Sequence, residues 1–339
     1  MRRIVIAGGL GFFGRTAAER LRADGAQPLT AARRPGADLR LDVENPASLR
    51  AALQPGDVVL DAVGPFQDRT TALAEAALEI GFDLVDIADS RAYVARLHAL
   101  RVRFDAAGVR LLTACSSVSG VSAALVTHSG LAHPVRVTGF LVPAAHYAAN
   151  PGSGGSLLRS VGQPVQVLRG GALVTRTGWR DTHNFVLPAP LGRMHGRLFE
   201  TADPLILPTA WPSLRDVGFY VDTWVPALNL MLDLGARSSL VHALMARCMP
   251  IGLALSRRLG SATGCLAFEI EGADGRVARY ALISTHHGHY TPIAPAVLAA
   301  RAIAEGRFAP TGVVPPNQYV DPGALLAYLG GIGVETVVL

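Results

Sequence analysis

Near the start of the sequence stands the stretch Arg3-Ile4-Val5-Ile6-Ala7-Gly8-Gly9-Leu10-Gly11-Phe12-Phe13-Gly14-Arg15-Thr16-Ala17-Ala18-Glu19-Arg20-Leu21. The short apolar run before the glycines predicts a β-strand, and the apolar spacing after them predicts a helix. A strand, a glycine-rich turn and a helix in this order are typical of the first unit of a dinucleotide-binding domain. The phosphates of the dinucleotide would then be bound by unpaired backbone N–H groups at the helix N-terminus.

The glycines of this stretch fit two patterns. Gly9, Gly11 and Gly14 match G-x-G-x-x-G, while Gly8, Gly11 and Gly14 match the looser G-x-x-G-x-x-G. In such motifs one glycine forms the tight turn, one lets the backbone approach the pyrophosphate, and one lets the helix pack on the strand. The sequence leaves both patterns open. We therefore assign the whole turn to the cofactor: Gly8, Gly9, Gly11, Phe12, Phe13 and Gly14.

Two arginines, Arg33 and Arg34, end the second predicted strand, which begins near Gln27. Sites that prefer NAD place an Asp or Glu there to bind the ribose 2′-hydroxyl, whereas an arginine accommodates the 2′-phosphate of NADP. Because this strand ends in arginines and not in an acid, the sequence predicts NADP. The alternative is a solvated loop with two ordinary surface arginines.

Three further strands of the first domain end in residues that we expect beside the cofactor. Ligands of an open parallel sheet bind outside the carboxyl ends of its strands. The first strand end is expected to flank the adenine, the second to lie beside the cofactor, and the last to contact the carboxamide of the nicotinamide. In that order the residues are Asp42 and Val43, then Val63, Gly64 and Pro65, and then Ser116 and Ser117.

Two domains of different architecture are predicted. Strands and helices alternate through about residue 120, which predicts an α/β fold with a Rossmann-type, doubly wound parallel sheet. Strands and hairpins follow, which predict a second, mixed or antiparallel α+β domain. We expect residues 1–125 to form the NADP-binding domain, completed by the C-terminal segment 290–339, and residues 126–289 to form the substrate-binding and dimerisation domain. The segment 182–226, rich in Pro and Gly, is expected to form long loops over a cleft.

Composition bounds the class of protein. Half of the 339 residues are hydrophobic and 17% are charged, which is typical of a globular protein with a large core. The net charge is +5, but the arginines are scattered, so we expect no nucleic-acid partner. The cysteines Cys115, Cys248 and Cys265 are far apart and odd in number, which argues against a disulfide framework or a zinc site. We expect a reducing, cytoplasmic location and no export signal.

The sequence contains no lysine, and all 31 of its basic Lys and Arg side chains are arginine. Schiff-base chemistry needs a lysine amine, and a P-loop ends in Gly-Lys followed by Ser or Thr. The sequence therefore excludes pyridoxal phosphate enzymes, lysine aldolases and P-loop ATPases. It also excludes the Tyr-x-x-x-Lys pair of short-chain dehydrogenases.

The most apolar region, residues 240–259, is interrupted by His242, Arg247, Pro250 and Arg257. It falls short of the about 20 apolar residues of a transmembrane helix, so we expect no span. An amphipathic helix pair that faces the core, a partner subunit or an apolar substrate is predicted, with a membrane-peripheral location as the alternative.

Five motifs together resemble the NADP-binding domain of the saccharopine dehydrogenase-like oxidoreductases. They are Gly-Gly-Leu-Gly-Phe-Phe-Gly at 8–14, Ala-Arg-Arg-Pro at 32–35, Val-Gly-Pro-Phe at 63–66, Val-Asp-Ile-Ala-Asp at 85–89 and Ala-Cys-Ser-Ser-Val-Ser-Gly at 114–120. The resemblance implies an NADP-binding Rossmann domain, a mixed α/β domain that carries the substrate and dimerisation surfaces, and hence a homodimer. Relatives of this length reduce carbon–nitrogen or carbon–carbon double bonds.

Titratable side chains outside these motifs cluster in two places. One is His286-His287-Gly288-His289-Tyr290, in which His287 and His289 are candidate proton donors. The other is His146-Tyr147, which follows a predicted strand and could donate a proton to the atom next to the site of hydride attack. Neighbouring side chains on a strand point to opposite faces, so we expect no metal site in the histidine cluster. A thiol nucleophile at Cys115 is disfavoured, because no basic residue lies near it in sequence.

These observations predict an NADP-dependent oxidoreductase. It would transfer a hydride between NADPH and a small organic acceptor, an imine or an activated alkene, and the acceptor would be partly apolar. The alternative is a redox-silent protein that binds NADP as a sensor or an assembly module.

Overall fold

Strands and helices alternate along the first third of the chain in a computed structural model, which describes residues 1–339. In chain order the strands are β1 (Ile4–Ala7), β2 (Leu29–Ala32), β3 (Leu39–Arg40), β4 (Val58–Asp61), β5 (Asp83–Asp86), β6 (Arg110–Leu112), β7 (Pro134–Val142), β8 (Pro164–Arg169), β9 (Ala172–Thr177), β10 (Thr182–Val186), β11 (Arg193–Phe199), β12 (Asp216–Val221), β13 (Gly264–Gly272), β14 (Val277–Ser284), β15 (Gly312–Val313) and β16 (Glu335–Val338).

The helices lie between these strands and close the chain. They are α1 (Phe12–Ala23), α2 (Pro46–Ala52), α3 (Ala72–Ile80), α4 (Arg91–His98), α5 (Arg101–Ala107), α6 (Gly120–His128), α7 (Ala145–Ala148), α8 (Pro151–Ser160), α9 (Asp203–Ala210), α10 (Pro226–Gly235), α11 (Ser239–Arg247), α12 (Met249–Leu259), α13 (Ala294–Ala304) and α14 (Pro322–Gly331). Short 3₁₀ turns occur at Phe66–Asp68, Gly288–Tyr290 and Pro316–Gln318.

The first unit is built on a parallel sheet of seven strands in the order β15-β6-β5-β4-β1-β2-β3. Its central strands β1 and β4 are buried along their whole length, as expected for strands covered by helices on both faces. The chain order reverses between β1 and β4, and open α/β sheets bind ligands at such a switch point. The predicted Rossmann-type sheet is confirmed.

The second unit is built on a mixed sheet in which β10-β11-β12-β7-β13-β14-β16 follow one another and the hairpin β8-β9 branches from β12. Only β7 and β12 pair in parallel. Its core contains Phe140 stacked on Phe185, with ring centroids 4.3 Å apart. The predicted second domain with a mixed or antiparallel sheet is also confirmed.

The expectation of long loops over residues 182–226 is wrong. This segment contains the hairpin β10-β11, helix α9 and strand β12. Some of its prolines and glycines lie at turns, such as the Pro188–Gly192 turn of the hairpin, but others lie within elements, such as Gly196 in β11 and Pro208 in α9. Apolar residues of the strands, among them Phe185 and Met194, pack into the core, and this burial outweighs the loop-like composition.

The C-terminal segment that we expected to complete the first unit is divided. Residues 292–325 belong to the first unit, where β15 pairs in parallel with β6. Residues 326–339 belong to the second unit, where β16 pairs antiparallel with β14 and Val337 packs against the core. The two compact units are therefore Met1–Ala124 with Pro292–Leu325, and Leu125–Thr291 with Leu326–Leu339.

None of the helices is by itself long and apolar enough to cross a membrane. Helices α11 and α12 reach that length and composition only when taken together, and they meet at an angle of 75°.

Candidate functional site

The turn between β1 and α1 depends on the absence of side chains. Gly8 has φ +77°, a conformation that glycine adopts without strain. A Cβ at Gly14 would lie 2.2 Å from the carbonyl oxygen of Gly8, and one at Gly9 would lie 2.6 Å from Cβ of Thr30. Gly8 thus makes the turn, Gly14 lets α1 lie against it, and Gly9 lets the turn lie against β2. Both glycine patterns describe part of this geometry.

The N-terminus of α1 follows this turn directly. Its N-cap is Gly11, which has no side chain to accept a hydrogen bond from the first turn of the helix. The first N–H groups of a helix have no carbonyl partner within the helix, and together with the helix dipole they favour an anion. Gly11 is exposed, and Phe12 and Phe13 are half-buried. The first turn of α1 is therefore suited to bind a phosphate.

The two arginines after β2 lie beside the same turn. Arg34 donates a hydrogen bond from Nη2 to the carbonyl oxygen of Leu10, at 2.9 Å, and both Arg33 and Arg34 are exposed. Asp38, the nearest acid along the chain, accepts hydrogen bonds from the backbone and the hydroxyl of Thr30, which lower its pKa. The end of β2 therefore carries the positive charges of Arg33 and Arg34, while the nearest carboxylate, that of Asp38, is hydrogen-bonded to Thr30.

The strand end at β3 is organised by local hydrogen bonds. Asp42 donates its backbone N–H to the hydroxyl of Ser48, and its carboxylate accepts the N–H of Glu44. Val43 is buried at 5% exposure, whereas Asp42 is half-buried. Both residues therefore stand at the same edge of the sheet as the glycine turn, where the sequence placed them.

A buried ion-pair network supports the strand end at β4. Asp61, the last residue of β4, is fully buried, and its carboxylate lies 3.1 Å from Nη1 of Arg69. Arg69 also donates to the carbonyl oxygen of Val63, at 2.8 Å, and to the carboxylate of Glu44, at 2.5 Å. Arg69 thus ties the end of β4 to the loop that follows it, in which Gly64 and Pro65 are exposed.

The protonation states in this network follow from burial and charge. Burial raises the pKa of Asp61, against the effect of the Arg69 guanidinium. The pKa of Arg69 remains raised despite its burial, chiefly because of Asp61. Loss of one member of such a pair leaves an unpaired buried charge and costs about 3–5 kcal/mol. Sequence reasoning missed Arg69 and Glu44, since nothing in their local sequence links either of them to Asp61.

The loop after β6 carries two strained residues, Ala114 at φ 52° and Ser119 at φ 64°. Positive φ is uncommon outside glycine and occurs often at functional sites. Between these two residues Ser116 is buried and Ser117 is half-buried. Burial raises the pKa of Cys115 well above its usual range, so this thiol is unsuited to act as a nucleophile.

Asp86, at the end of β5, anchors the same loop. It is fully buried, and its Oδ1 accepts the backbone N–H groups of Ala114, at 2.8 Å, and Ala88, at 2.9 Å. Burial is the main reason that its pKa is raised to about 7. The structure thus adds Asp86 to the residues that shape this edge of the sheet.

The two candidate proton-donor segments of the second unit converge. Strands β7 and β14 run in the same direction on either side of β13, and both end where β13 begins. The segment after β7 carries His146 and Tyr147, and the segment after β14 carries His287 and His289. The sheet therefore brings these distant stretches together at one edge.

Tyr147 lies between the two segments. Its ring centroid is 4.8 Å from that of His146, 6.3 Å from that of His289 and 6.5 Å from that of His286. The Nδ1 atom of His146 lies 2.9 Å from the carbonyl oxygen of Arg257, which fixes the imidazole beside Tyr147. Tyr147 and His289 are half-buried.

His287 is exposed, unlike Tyr147 and His289, and its ring centroid lies 6.2 Å from that of His289. In this cluster, as elsewhere in residues 1–339, no three His, Cys, Asp or Glu side chains are arranged to hold a metal ion.

Comparison with known proteins shows a family match within the first unit. Residues 4–112 match the family described as saccharopine dehydrogenase NADP binding domain. The chain also resembles the solved apo structure of histidine-tagged saccharopine dehydrogenase (L-Glu forming) from Saccharomyces cerevisiae, with a TM-score of 0.65, 12% identity and 100% of each chain covered. At that identity the likeness shows the fold. No curated protein matches the chain.

Two further solved structures are similar at a lower level. GenD2 from gentamicin A biosynthesis, in complex with NAD, has a TM-score of 0.40 and 15% identity over 100% of this chain and 97% of its own. UDP-N-acetylglucosamine 3-dehydrogenase GnnA from Acidithiobacillus ferrooxidans has a TM-score of 0.40 and 12% identity over 97% of this chain and 95% of its own. Likenesses this remote carry no argument about cofactor or substrate.

The raised pKa of Asp86 predicts a pH-dependent stability. In the folded state this carboxyl keeps its proton up to a pH of about 7, against an ordinary value of 3.8. The contribution of Asp86 to the free energy of unfolding is therefore complete below pH about 4 and is lost as the pH rises through about 7. The free energy of unfolding should fall by up to about 4 kcal/mol over this range. Asp86→Asn, which is neutral throughout, should flatten this part of the stability profile.

Urea unfolding at a series of pH values between these limits measures the effect, with Glu19→Gln, a change of an exposed acid on α1, as the matched control. Superimposable profiles for Asp86→Asn and the original protein would refute the assignment.

Proposed function

We propose that this protein is an NADP-dependent oxidoreductase, because residues 4–112 match the family described as saccharopine dehydrogenase NADP binding domain. It transfers a hydride between NADPH and a small organic acceptor whose reducible group is an imine or an activated alkene. The protein positions the nicotinamide against the acceptor and supplies a proton, while the cofactor supplies the hydride.

The observation that carries this proposal is the arrangement around the glycine turn. The helix N-terminus at Gly11 offers backbone N–H groups for the pyrophosphate, and Arg34 lies against the same turn through its hydrogen bond to Leu10. Arg33 and Arg34 are exposed, so their guanidinium groups are accessible to the 2′-phosphate. Arginine binds phosphate through paired, charge-assisted hydrogen bonds, which supports NADP over NAD.

The remaining strand ends complete the proposed cofactor site. Asp42 and Val43 would flank the adenine, Val63, Gly64 and Pro65 would contact the middle of the cofactor, and Ser116 and Ser117 would contact the nicotinamide carboxamide. The Asp61–Arg69 network and the Asp86 hydrogen bonds hold two of these loops in place. They act as positioning residues and do not touch the cofactor in this proposal.

Reduction of a carbon–nitrogen double bond requires a hydride on the carbon and a proton on the nitrogen. We assign the proton to the histidine and tyrosine cluster of the second unit, with Tyr147 and His289 as the donors. His146 fixes the ring of Tyr147 through its own bond to a backbone carbonyl, which makes it a positioning residue. His287 is the more exposed alternative to His289.

Replacement of both arginines tests the cofactor preference. Arg33→Ala with Arg34→Ala should weaken NADPH binding about 10- to 100-fold, because charge-assisted hydrogen bonds to the 2′-phosphate are lost. NADH lacks that phosphate, so its affinity should stay nearly unchanged. Quenching of tryptophan fluorescence measures both Kd values, and Arg103→Ala, an exposed arginine on α5, is the control. Equal losses for the two cofactors would contradict a 2′-phosphate contact here.

Turnover tests the catalytic assignment. A panel of cyclic imines and activated alkenes is incubated with NADPH, and the loss of NADPH absorbance is followed. On an accepted substrate Tyr147→Phe or His289→Gln should lower kcat about a hundredfold or more while the Kd of NADPH stays the same.

His195→Gln, an exposed histidine on β11, is the matched control for these variants. NADPH binding without turnover on the whole panel would favour the sensor or assembly role. Unchanged kcat in both variants would move the proton donor elsewhere.

A further inference from the structure

Helices α10, α11 and α12 expose an unusual number of large apolar side chains. The exposed fractions run from 46% at Leu234 to 79% at Leu240. The helices α11 and α12 contain no buried residue at all. We call this set the leucine surface: Leu230, Met231, Leu234, Leu240, Leu244, Ile251, Leu255 and Leu259. Exposed apolar side chains gathered on helices that contact one another, as α10, α11 and α12 do, indicate an interaction surface.

The packing of α11 shows which of its sides faces outward. His242 lies against α8, with Nε2 at 2.8 Å from the carbonyl oxygen of Leu158, and Met245 lies against Gly235 of α10. Leu240 and Leu244 are one helical turn apart, on the opposite side from these two contacts. The outward side of α11 therefore carries apolar side chains that stay largely exposed.

Helix α12 has the same arrangement. Met249 and Leu253 face Gly154 of α8, where a Cβ would lie 3.0 Å from Cδ2 of Leu253. Ile251 and Leu255 are four residues apart on the opposite side. Helix α11 thus packs on α8 and α10 and helix α12 packs on α8, and each leaves an apolar side exposed.

The charge on α11 and α12 is entirely positive. Residues 236–259 contain four arginines and no acid. The one acid of α10, Asp233, is bound to Arg197, at 2.8 Å and 3.0 Å. The arginines are Arg237, Arg247, Arg257 and Arg258, and all four are exposed. Apolar side chains bordered by arginines on a helix are the pattern of interfacial membrane helices.

We propose that the leucine surface docks the protein on a membrane that contains anionic lipids. The leucines enter the boundary between headgroups and acyl chains, and the arginines contact lipid phosphates. A symmetric contact with a second copy would instead place four arginines of each copy in one interface without an acid to pair them, which opposes association.

The lengths of the helices fit a surface position. At 1.5 Å per residue, α12 with its 11 residues is about 16 Å long, roughly half of the hydrocarbon core of a bilayer. The bend of 75° between α11 and α12 prevents the pair from forming one straight helix. Membrane docking does not depend on the proposed oxidoreductase activity. A partly apolar acceptor dissolved in the membrane would be compatible with both the docking and the activity.

Sedimentation of the full-length protein with vesicles tests the proposal. Vesicles of phosphatidylcholine are compared with vesicles that also contain phosphatidylglycerol. The protein should sediment with the anionic vesicles at least about tenfold more strongly, since each basic residue near such a surface contributes about a fivefold gain. Leu244→Asp with Leu255→Asp, and separately Arg247→Glu with Arg258→Glu, should each lower binding at least about tenfold.

Val102→Asp is the matched control, because Val102 is 79% exposed on α5 of the first unit. All the replaced residues are exposed, so the fold should persist, and NADPH binding and thermal unfolding verify that it does. Three outcomes overturn the proposal. The original protein does not sediment with either kind of vesicle, or the variants bind vesicles as strongly as the control does, or the leucine variant changes from dimer to monomer while its vesicle binding stays the same. The last outcome would make the leucine surface an interface between copies.

Discussion

The close approach of α1 to the turn after β1 is the constraint on which the cofactor edge depends. No side-chain atom fits at Gly14, because a Cβ there would lie 2.2 Å from the carbonyl oxygen of Gly8. This approach places the N-terminus of α1 directly outside the carboxyl end of β1. The helix dipole and the first N–H groups then face the edge of the sheet at which the strand order reverses. A larger residue would separate the helix from the strand and move the anion site.

The neighbouring strand ends are held by buried polar side chains rather than by glycines. Arg69 binds Asp61, Glu44 and the carbonyl oxygen of Val63, and Asp86 binds two backbone N–H groups. Buried ionic groups cost desolvation energy, so their value here is to fix loop geometry more than to stabilise the fold. Loops that are already rigid lose less conformational entropy when a cofactor binds, so binding costs less free energy.

Much of the fold follows from local sequence, and the departures have physical reasons. The glycine turn and the alternating strands and helices predict the parallel sheet, since each signal is contained in a short stretch. The loop expectation for residues 182–226 failed because Phe185 and Met194 gain more from core packing than the composition of their segment suggests. The division of the C-terminal segment depends on pairing between β16 and β14, which only the folded chain establishes.

In the candidate site, too, local motifs could be predicted from the sequence and contacts between distant segments could not. Gly11, Arg33 and Gly64 could be placed at one edge of the sheet because parallel strands end together. The meeting of Tyr147 with His289 depends on the strand order β7-β13-β14, and the role of Arg69 depends on a loop that folds back on β4. Neither relation leaves a periodic signal in the sequence. Motifs made by one turn of chain are therefore predictable here, and contacts between distant segments are not.

A crystal structure of the protein with NADPH bound tests the central claim most directly. The account predicts the pyrophosphate on the backbone N–H groups of the first turn of α1, and the 2′-phosphate within hydrogen-bond distance of the guanidinium of Arg33 or Arg34. A cofactor bound away from this edge, or a 2′-phosphate that points to solvent without an arginine contact, would contradict it.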